Sequence, residues 1–252
     1  MNALAKTALL GARLLRIAAF SPARLSHVLG SALAASAEVA DRSLDLHRFP
    51  CVTVEDLLPA GDTDVRAQFA LFPRSAASVS VLEFICLALL MKRARAENIF
   101  EFGTYKGVST TQLALNSPSG SRVITLDLPD EPAPTAFEIS FAKDAVIAVE
   151  PGKGSFVPPD VRGRITFLRQ DSARFDETPY AGQMDFVFVD GAHNAPYVKN
   201  DSEKGWRMLR AGGIMAWHDC VIGDPDVVRY LLGCPYQPTR IGNTSLAFAV
   251  KA

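Results

Sequence analysis

From residue 98 onward, short apolar runs alternate with longer stretches whose apolar positions recur every three or four residues. Four- to six-residue apolar runs read as buried strands, and the 3.6-residue rhythm reads as amphipathic helices. Strands are expected at Ile99–Phe102, Val123–Leu128, Ile165–Arg169, Phe186–Val189 and Ile214–Trp217. Helices are expected at Ser109–Leu115, Tyr197–Leu209 and Pro225–Leu232. Ser117–Gly120 reads as a turn, and Ala211–Gly213 reads as the stop after Leu209. Thr239–Ile241 and Ser245–Val250 form a closing pair around Gly242-Asn243. Upstream, Val79, Leu82, Ile85 and Leu89 give a helical pattern over Ala76–Arg95, with cations in the last turn that complement its dipole.

This alternation predicts an α/β fold, a doubly wound, mostly parallel seven-stranded sheet with helices on both faces. Residues 46–76, with Pro50, Pro59, Gly61 and Pro73, look irregular. Residues 129–163 are longer than a simple connection and carry six prolines. Their run Phe137–Val149 is a candidate helix, and the whole insertion is a candidate lid over a ligand. Residues 1–75 are expected to be a helical N-terminal extension and linker, and residues 76–252 the main domain.

Residues 1–37 hold Lys6, Arg13, Arg16 and Arg24 and no acid. A basic amphipathic helix is expected over Ala3–Ala19, with a second helix from Ala23 to Asp45 beyond Pro22. Packing as a cap or against a second copy, and weak peripheral association with a membrane surface, are both open for this region. A cleaved signal peptide is a third reading: Ala32-Leu-Ala-Ala-Ser-Ala37 looks like a cleavage region, but Arg13 and Arg16 interrupt the apolar core it would need.

Charge and cysteines narrow the function. A formal net charge of −1 gives no general attraction to nucleic acid. Cys51, Cys86, Cys220 and Cys234 show no metal or disulfide spacing. They point to a reducing, cytoplasmic setting, with Cys86 in the core. The longest apolar run, Val79–Met91, is too short to cross a bilayer.

The chemistry lies at the strand ends. Glu101-Phe-Gly103-Thr-Tyr-Lys-Gly107 joins a strand to a helix start at Ser109. Glycines let a ligand approach the main chain, and a helix N-terminus offers unpaired N–H groups. Glu101, Asp127, Asp171 and Asp190 stand at or just after the first four strand ends, and Asp219 follows the fifth. Ligands bind outside these ends in an open parallel sheet.

Glu101-x-Gly103-x-x-x-Gly107, Asp127 and Asp171 resemble the motifs of class I S-adenosylmethionine-dependent methyltransferases over about residues 78–250. The resemblance implies a Rossmann-like fold and S-adenosyl-L-methionine as cofactor. It implies cofactor contacts from Glu101, Gly103, Thr104, Gly107 and Ser109, with Asp127 on the ribose. Asp171 and Ser172 would lie near the adenine, and Asp190 at the next strand end. The segment Asp190-Gly-Ala-His193, then Gly212-Gly213 and His218-Asp219, is similar to a branch of small-molecule O-methyltransferases that includes sugar and natural-product enzymes. By that resemblance His193 would be the base at an ordinary pKa of about 6.5, with His218 as the second candidate. Asp190, His218 and Asp219 would be ligands for Mg2+ or Mn2+, although several metal-dependent relatives carry an acid where this chain has His218. Phe137, Phe141, Phe156, Tyr197 and Trp217 are candidates to line an acceptor pocket.

The implied activity is methyl transfer to a small-molecule hydroxyl. Two alternatives stay open: a non-catalytic cofactor-binding or scaffold protein, and a methyltransferase acting on a macromolecule. A nicotinamide dehydrogenase would prefer Gly-x-Gly-x-x-Gly after the first strand. A homo-oligomer is a further expectation.

Overall fold

A computed structural model describes residues 45–59, 65–72, 79–131 and 133–252. The expected helices Ala3–Ala19 and Ala23–Asp45 fall on residues outside the described ones, except Asp45.

Among the described residues, eight strands form one sheet, one more than the sequence suggested. In chain order they are β1 (Cys51–Val52), β2 (Asn98–Phe102), β3 (Arg122–Asp127), β4 (Ile165–Arg169), β5 (Met184–Val189), β6 (Leu209–Trp217), β7 (Thr239–Ile241) and β8 (Ala247–Val250). The spatial order is β1-β7-β8-β6-β5-β2-β3-β4. All pairs are parallel except those of β8 with β6 and β7. The unexpected strand, β1, is two residues long, too short to leave a periodic signal. It pairs with β7, and nearby Leu57 is fully buried, so sheet and core begin well before residue 76.

The helices are α1 (Val81–Ala94), α2 (Val108–Leu115), α3 (Ala142–Val149), α4 (Pro159–Arg162), α5 (Ala195–Met208) and α6 (Pro225–Gly233). α1 starts later than the apolar pattern because Ser80 caps it. The Ser80 hydroxyl accepts from the Glu83 N–H at 3.3 Å, and the Glu83 carboxylate accepts from the Ser80 N–H at 2.8 Å. Arg95, with φ 50°, ends the helix. Side chains of the central strands point alternately to two faces, and both faces are buried. Ile99, Phe186, Phe188, Ile214 and Ala216 join the cluster containing the α1 side chains. On the other face, Phe102, Val187 and Met215 approach Gly205 of α5, where a Cβ would sit 2.9 Å from Met215 and Val187.

Two local expectations change. Ala211–Gly213 does not separate helix from strand but lies inside β6, where the register against β5 shifts. Gly212, at φ +74°, absorbs that bulge. Only Ala142–Val149 of the run Phe137–Val149 is helical, because Phe141 is extended at its start.

Candidate active site

β2 is paired on one side with β3 and on the other with β5, so the chain direction of the connections reverses there. A cleft opens at the carboxyl ends of these strands, the expected place for a ligand in such a sheet.

The turn after β2 is built for close approach. At Gly103, φ is +96° and a Cβ would stand 1.9 Å from the carbonyl oxygen of Asp190. No other residue lets the tips of β2 and β5 meet this way. Asp127, at the tip of β3, organises the same turn. Its Oδ2 accepts from the N–H groups of Thr104 (3.0 Å) and Tyr105 (2.7 Å), and its Oδ1 from Leu128 (2.7 Å). Burial raises its pKa, partly offset by the Tyr105 N–H and Lys153. With two lone pairs per oxygen, the carboxylate keeps acceptor capacity for further donors.

Asp171 follows β4. Its Oδ2 accepts from Ala136 N–H (2.6 Å), and its Oδ1 from Ala173 N–H (2.9 Å) and the Tyr197 hydroxyl (3.1 Å). Asp201 of α5 lies beside Ser172, fully buried, with burial pushing its pKa up to about 7. The turn is stapled by Lys204, whose ammonium donates to the carbonyls of Ser172, Ala173 and Phe175 at 2.5–3.1 Å.

At the β5–β6 end, acids and imidazoles form a chain. His193 Nδ1 lies 2.7 Å from Asp144 Oδ1, and His193 Nε2 lies 2.5 Å from Asp219 Oδ2. The same Asp219 oxygen is 2.8 Å from His218 Nδ1. His218 Nδ1 is also 3.2 Å from Asp190 Oδ1, and its Nε2 is 3.5 Å from Glu83 Oε2. Burial works against charge on His193, but Asp144 and Asp219 outweigh it and push its pKa up to about 10. In place of the ordinary value expected from sequence, Asp144 and Asp219 hold His193 toward its charged form. His218 is likewise raised well above its ordinary value, with Asp190 and Asp219 overriding burial. In return the two rings hold Asp219 well below the carboxylate range despite its burial.

The cleft wall collects Gly103, Thr104, Ser109, Asp127, Asp171 and Ser172 on one side, and Asp190, His193, His218 and Asp219 on the other. Glu101 and Gly107 are not on that wall. The Glu101 carboxylate is fully buried and accepts from the hydroxyls of Thr110 (2.5 Å) and Thr125 (2.6 Å), which locks α2 to the sheet. Burial lifts its pKa to about 7. Gly107 instead makes room for Val157 and Gly154, which a Cβ would meet at 2.5 and 3.1 Å.

Of the candidate pocket aromatics, only Tyr197 lines the cleft. Trp217 is buried and donates to Ser202, Phe156 stacks on Phe72, Phe137 packs edge-on to Tyr197, and Phe141 lies 6.4 Å from the His193 ring. The sequence assigns no part in the site to Glu83 or Asp144. Glu83 and Asp144 are acids inside apolar helical runs, and that break in pattern was the available signal.

Residues 100–220 match a family model described as a methyltransferase domain. A protein of Arabidopsis thaliana, provisionally named a caffeoyl-CoA O-methyltransferase, is 30% identical over 149 residues. That match spans 56% of each chain, so this chain covers about half the length of that relative. The fold is similar to a protein of Staphylococcus aureus, provisionally named a caffeoyl-CoA O-methyltransferase (TM-score 0.51, 16% identity, 69% of this chain and 85% of that one). It is also similar to the S-adenosylhomocysteine-bound methyltransferase of Podospora anserina (TM-score 0.50, 17% identity, 71% of this chain and 82% of that one).

Proposed function

We propose, from the premise that residues 100–220 carry a methyltransferase domain, that this chain transfers the methyl group of S-adenosyl-L-methionine to a hydroxyl of a small molecule. The observation that carries the reading is the shared cleft. A glycine turn and the carboxylates of Asp127 and Asp171 line one side, and the acid–imidazole chain lines the other.

Asp127 and Asp171 suit the ribose hydroxyls and the adenine amine, since carboxylates accept only and those groups donate. Backbone N–H groups at the start of α2, with Thr104 and Ser109 nearby, suit the charged methionine tail. The sulfonium is already electrophilic, so the protein chiefly has to align the hydroxyl in line with the methyl group and exclude water. His193 is the residue we assign to the hydroxyl's proton, and it must release its own proton first because it rests charged. The acceptor we propose is of sugar, phenolic or other natural-product type, and the catalytic machinery lies within residues 76–252, on a sheet whose edge strand β1 comes from the residues before them.

The donors of Asp190, His218 and Asp219 lie within 4.8 Å of one another. Two carboxylates and an imidazole, with Glu83 behind the imidazole, suit a divalent cation that takes a nitrogen donor beside oxygen donors, such as Mn2+, better than Mg2+. When bound, such an ion would lower the pKa of a hydroxyl oxygen on it.

The test is calorimetry with S-adenosylhomocysteine, followed by labelled S-adenosylmethionine with a panel of catechols and sugars, with and without Mn2+. Heat followed by label in an acceptor supports the proposal. Heat without transfer to any acceptor favours the cofactor-binding alternative, and no heat removes both.

A further inference from the structure

We infer that Asp144 is the positioning residue of His193, so that the insertion must be closed over the cleft for His193 to be oriented. The inference rests on the reading above only for the chemistry that His193 serves.

Asp144 belongs to α3, the helix of the insertion, and not to the sheet. It is buried, and both of its oxygens are spent on one residue. Oδ1 faces His193 Nδ1 at 2.7 Å, and Oδ2 accepts the His193 main-chain N–H at 2.7 Å. A carboxylate gripping main chain and ring together fixes the ring's torsions and assigns the Nδ1 proton to itself. Nε2 is thereby turned toward Asp219 and the cleft. Two-point contact of this kind is directional in a way that a single ion pair is not.

The rest of the insertion is tied to the same cleft. Ala136 N–H donates to Asp171 at 2.6 Å, and Asn194 Nδ2 donates to the Glu138 carbonyl at 2.9 Å. Glu150 accepts from the Tyr105 hydroxyl at 2.9 Å and pairs with Lys106 at 2.8 Å. Ile139, Ile147 and Asp144 itself form part of the cleft wall. One segment therefore both walls the cleft and orients the ring, which couples enclosure to readiness for proton transfer.

The full chain, with S-adenosylhomocysteine as probe, tests this in three ways. In protein labelled with 15N-histidine, His193→Gln assigns the His193 ring signals. Asp144→Asn should displace the Nδ1 signal of His193, and Asp144→Glu, which keeps an acceptor, should restore it. An unmoved signal in the Asn variant, or equal loss in both, would overturn the inference.

Amide hydrogen exchange over residues 137–149 should rise roughly tenfold in Asp144→Asn and in His193→Gln, with no further rise in the double variant. Additive effects would mean that the two residues act separately, against the inference. Calorimetry on the wild-type chain separates the two readings. Absence of heat with the probe sinks the methyltransferase reading and leaves the ring and exchange measurements to decide on Asp144.

Discussion

Asp219 Oδ2 stands 2.5 Å from His193 Nε2 in a buried pocket, and the same oxygen meets His218 Nδ1 at 2.8 Å. One carboxylate thus bridges two imidazoles: it favours the charged form of each ring, and both rings keep it ionised. If His193 accepts the hydroxyl proton, only its neutral form is competent, and that form grows tenfold per pH unit below a pKa of about 10. Methyl transfer should therefore keep rising from pH 7 toward pH 10, and His193→Gln should lower it by about 10²-fold and flatten the rise. A plateau already reached by about pH 8 in the wild type would rule out this assignment.

Asp219→Asn should lower transfer by a similar factor, about 10²-fold, while affinity for S-adenosylhomocysteine stays within about threefold. The amide keeps the shape but cannot hold two imidazolium rings. Calorimetry and initial rates on the same preparation separate the two effects. A parallel loss of affinity would make Asp219 a residue of the cofactor site.

Glu101 is neutral in the folded chain at low pH. Its pKa rises from 4.5 to about 7 because the group is buried, and the Thr110 and Thr125 hydroxyls only partly compensate. A raised acid favours folding below its unfolded pKa and loses that advantage as pH climbs through the folded value. The loss here runs from about pH 4.5 to 7 and amounts to roughly 3 kcal/mol. Asp201 acts in the same direction over a similar window. Thermal unfolding at pH 5 and pH 8 should show wild type losing more stability than Glu101→Gln, which stays neutral throughout. Equal losses would mean that Glu101 ionises freely in the fold.

Asp127 serves the protein and, on our reading, the ligand. Replacing it with Ala leaves the Thr104 and Tyr105 N–H groups without their acceptor and removes the partner proposed for the ribose. Calorimetry with S-adenosylhomocysteine should show affinity falling about 10- to 100-fold, some 1.4–2.8 kcal/mol. Unchanged affinity would place the ribose elsewhere.

These variants also show what was readable in the chain. Period and glycine placement gave the strands of the central sheet and the tips bearing Asp127, Asp171 and Asp190, because buried parallel strands are continuous apolar runs. β1 escaped notice because two residues carry no period. Asp144 and Glu83 reach the histidines from helices 49 and 135 positions away in sequence, and only the tertiary packing brings them there. The place of Glu101 at a strand tip points to a ligand. The hydroxyls of Thr110 and Thr125 occupy its Oε2 and leave its Oε1 without a partner, an arrangement that depends on how α2 packs.

Gly103→Ala should be far more disruptive than its size suggests. The new methyl would lie 1.9 Å from the Asp190 carbonyl oxygen, so the tips of β2 and β5 would have to part. The backbone there, at φ +96°, is also unfavourable for any residue with a Cβ. Strain and overpacking together should cost roughly 2–5 kcal/mol, a large share of the 5–15 kcal/mol typical of a domain. Because the same turn faces the cleft, binding of S-adenosylhomocysteine should fall with it. Gly120→Ala is the matched control: it has open space around it and no positive φ, and should change stability by less than about 0.5 kcal/mol. Denaturant unfolding of the two variants side by side checks the argument. Equal stabilities would mean that β2 and β5 tolerate separation at this point, and the close approach would no longer explain the glycine.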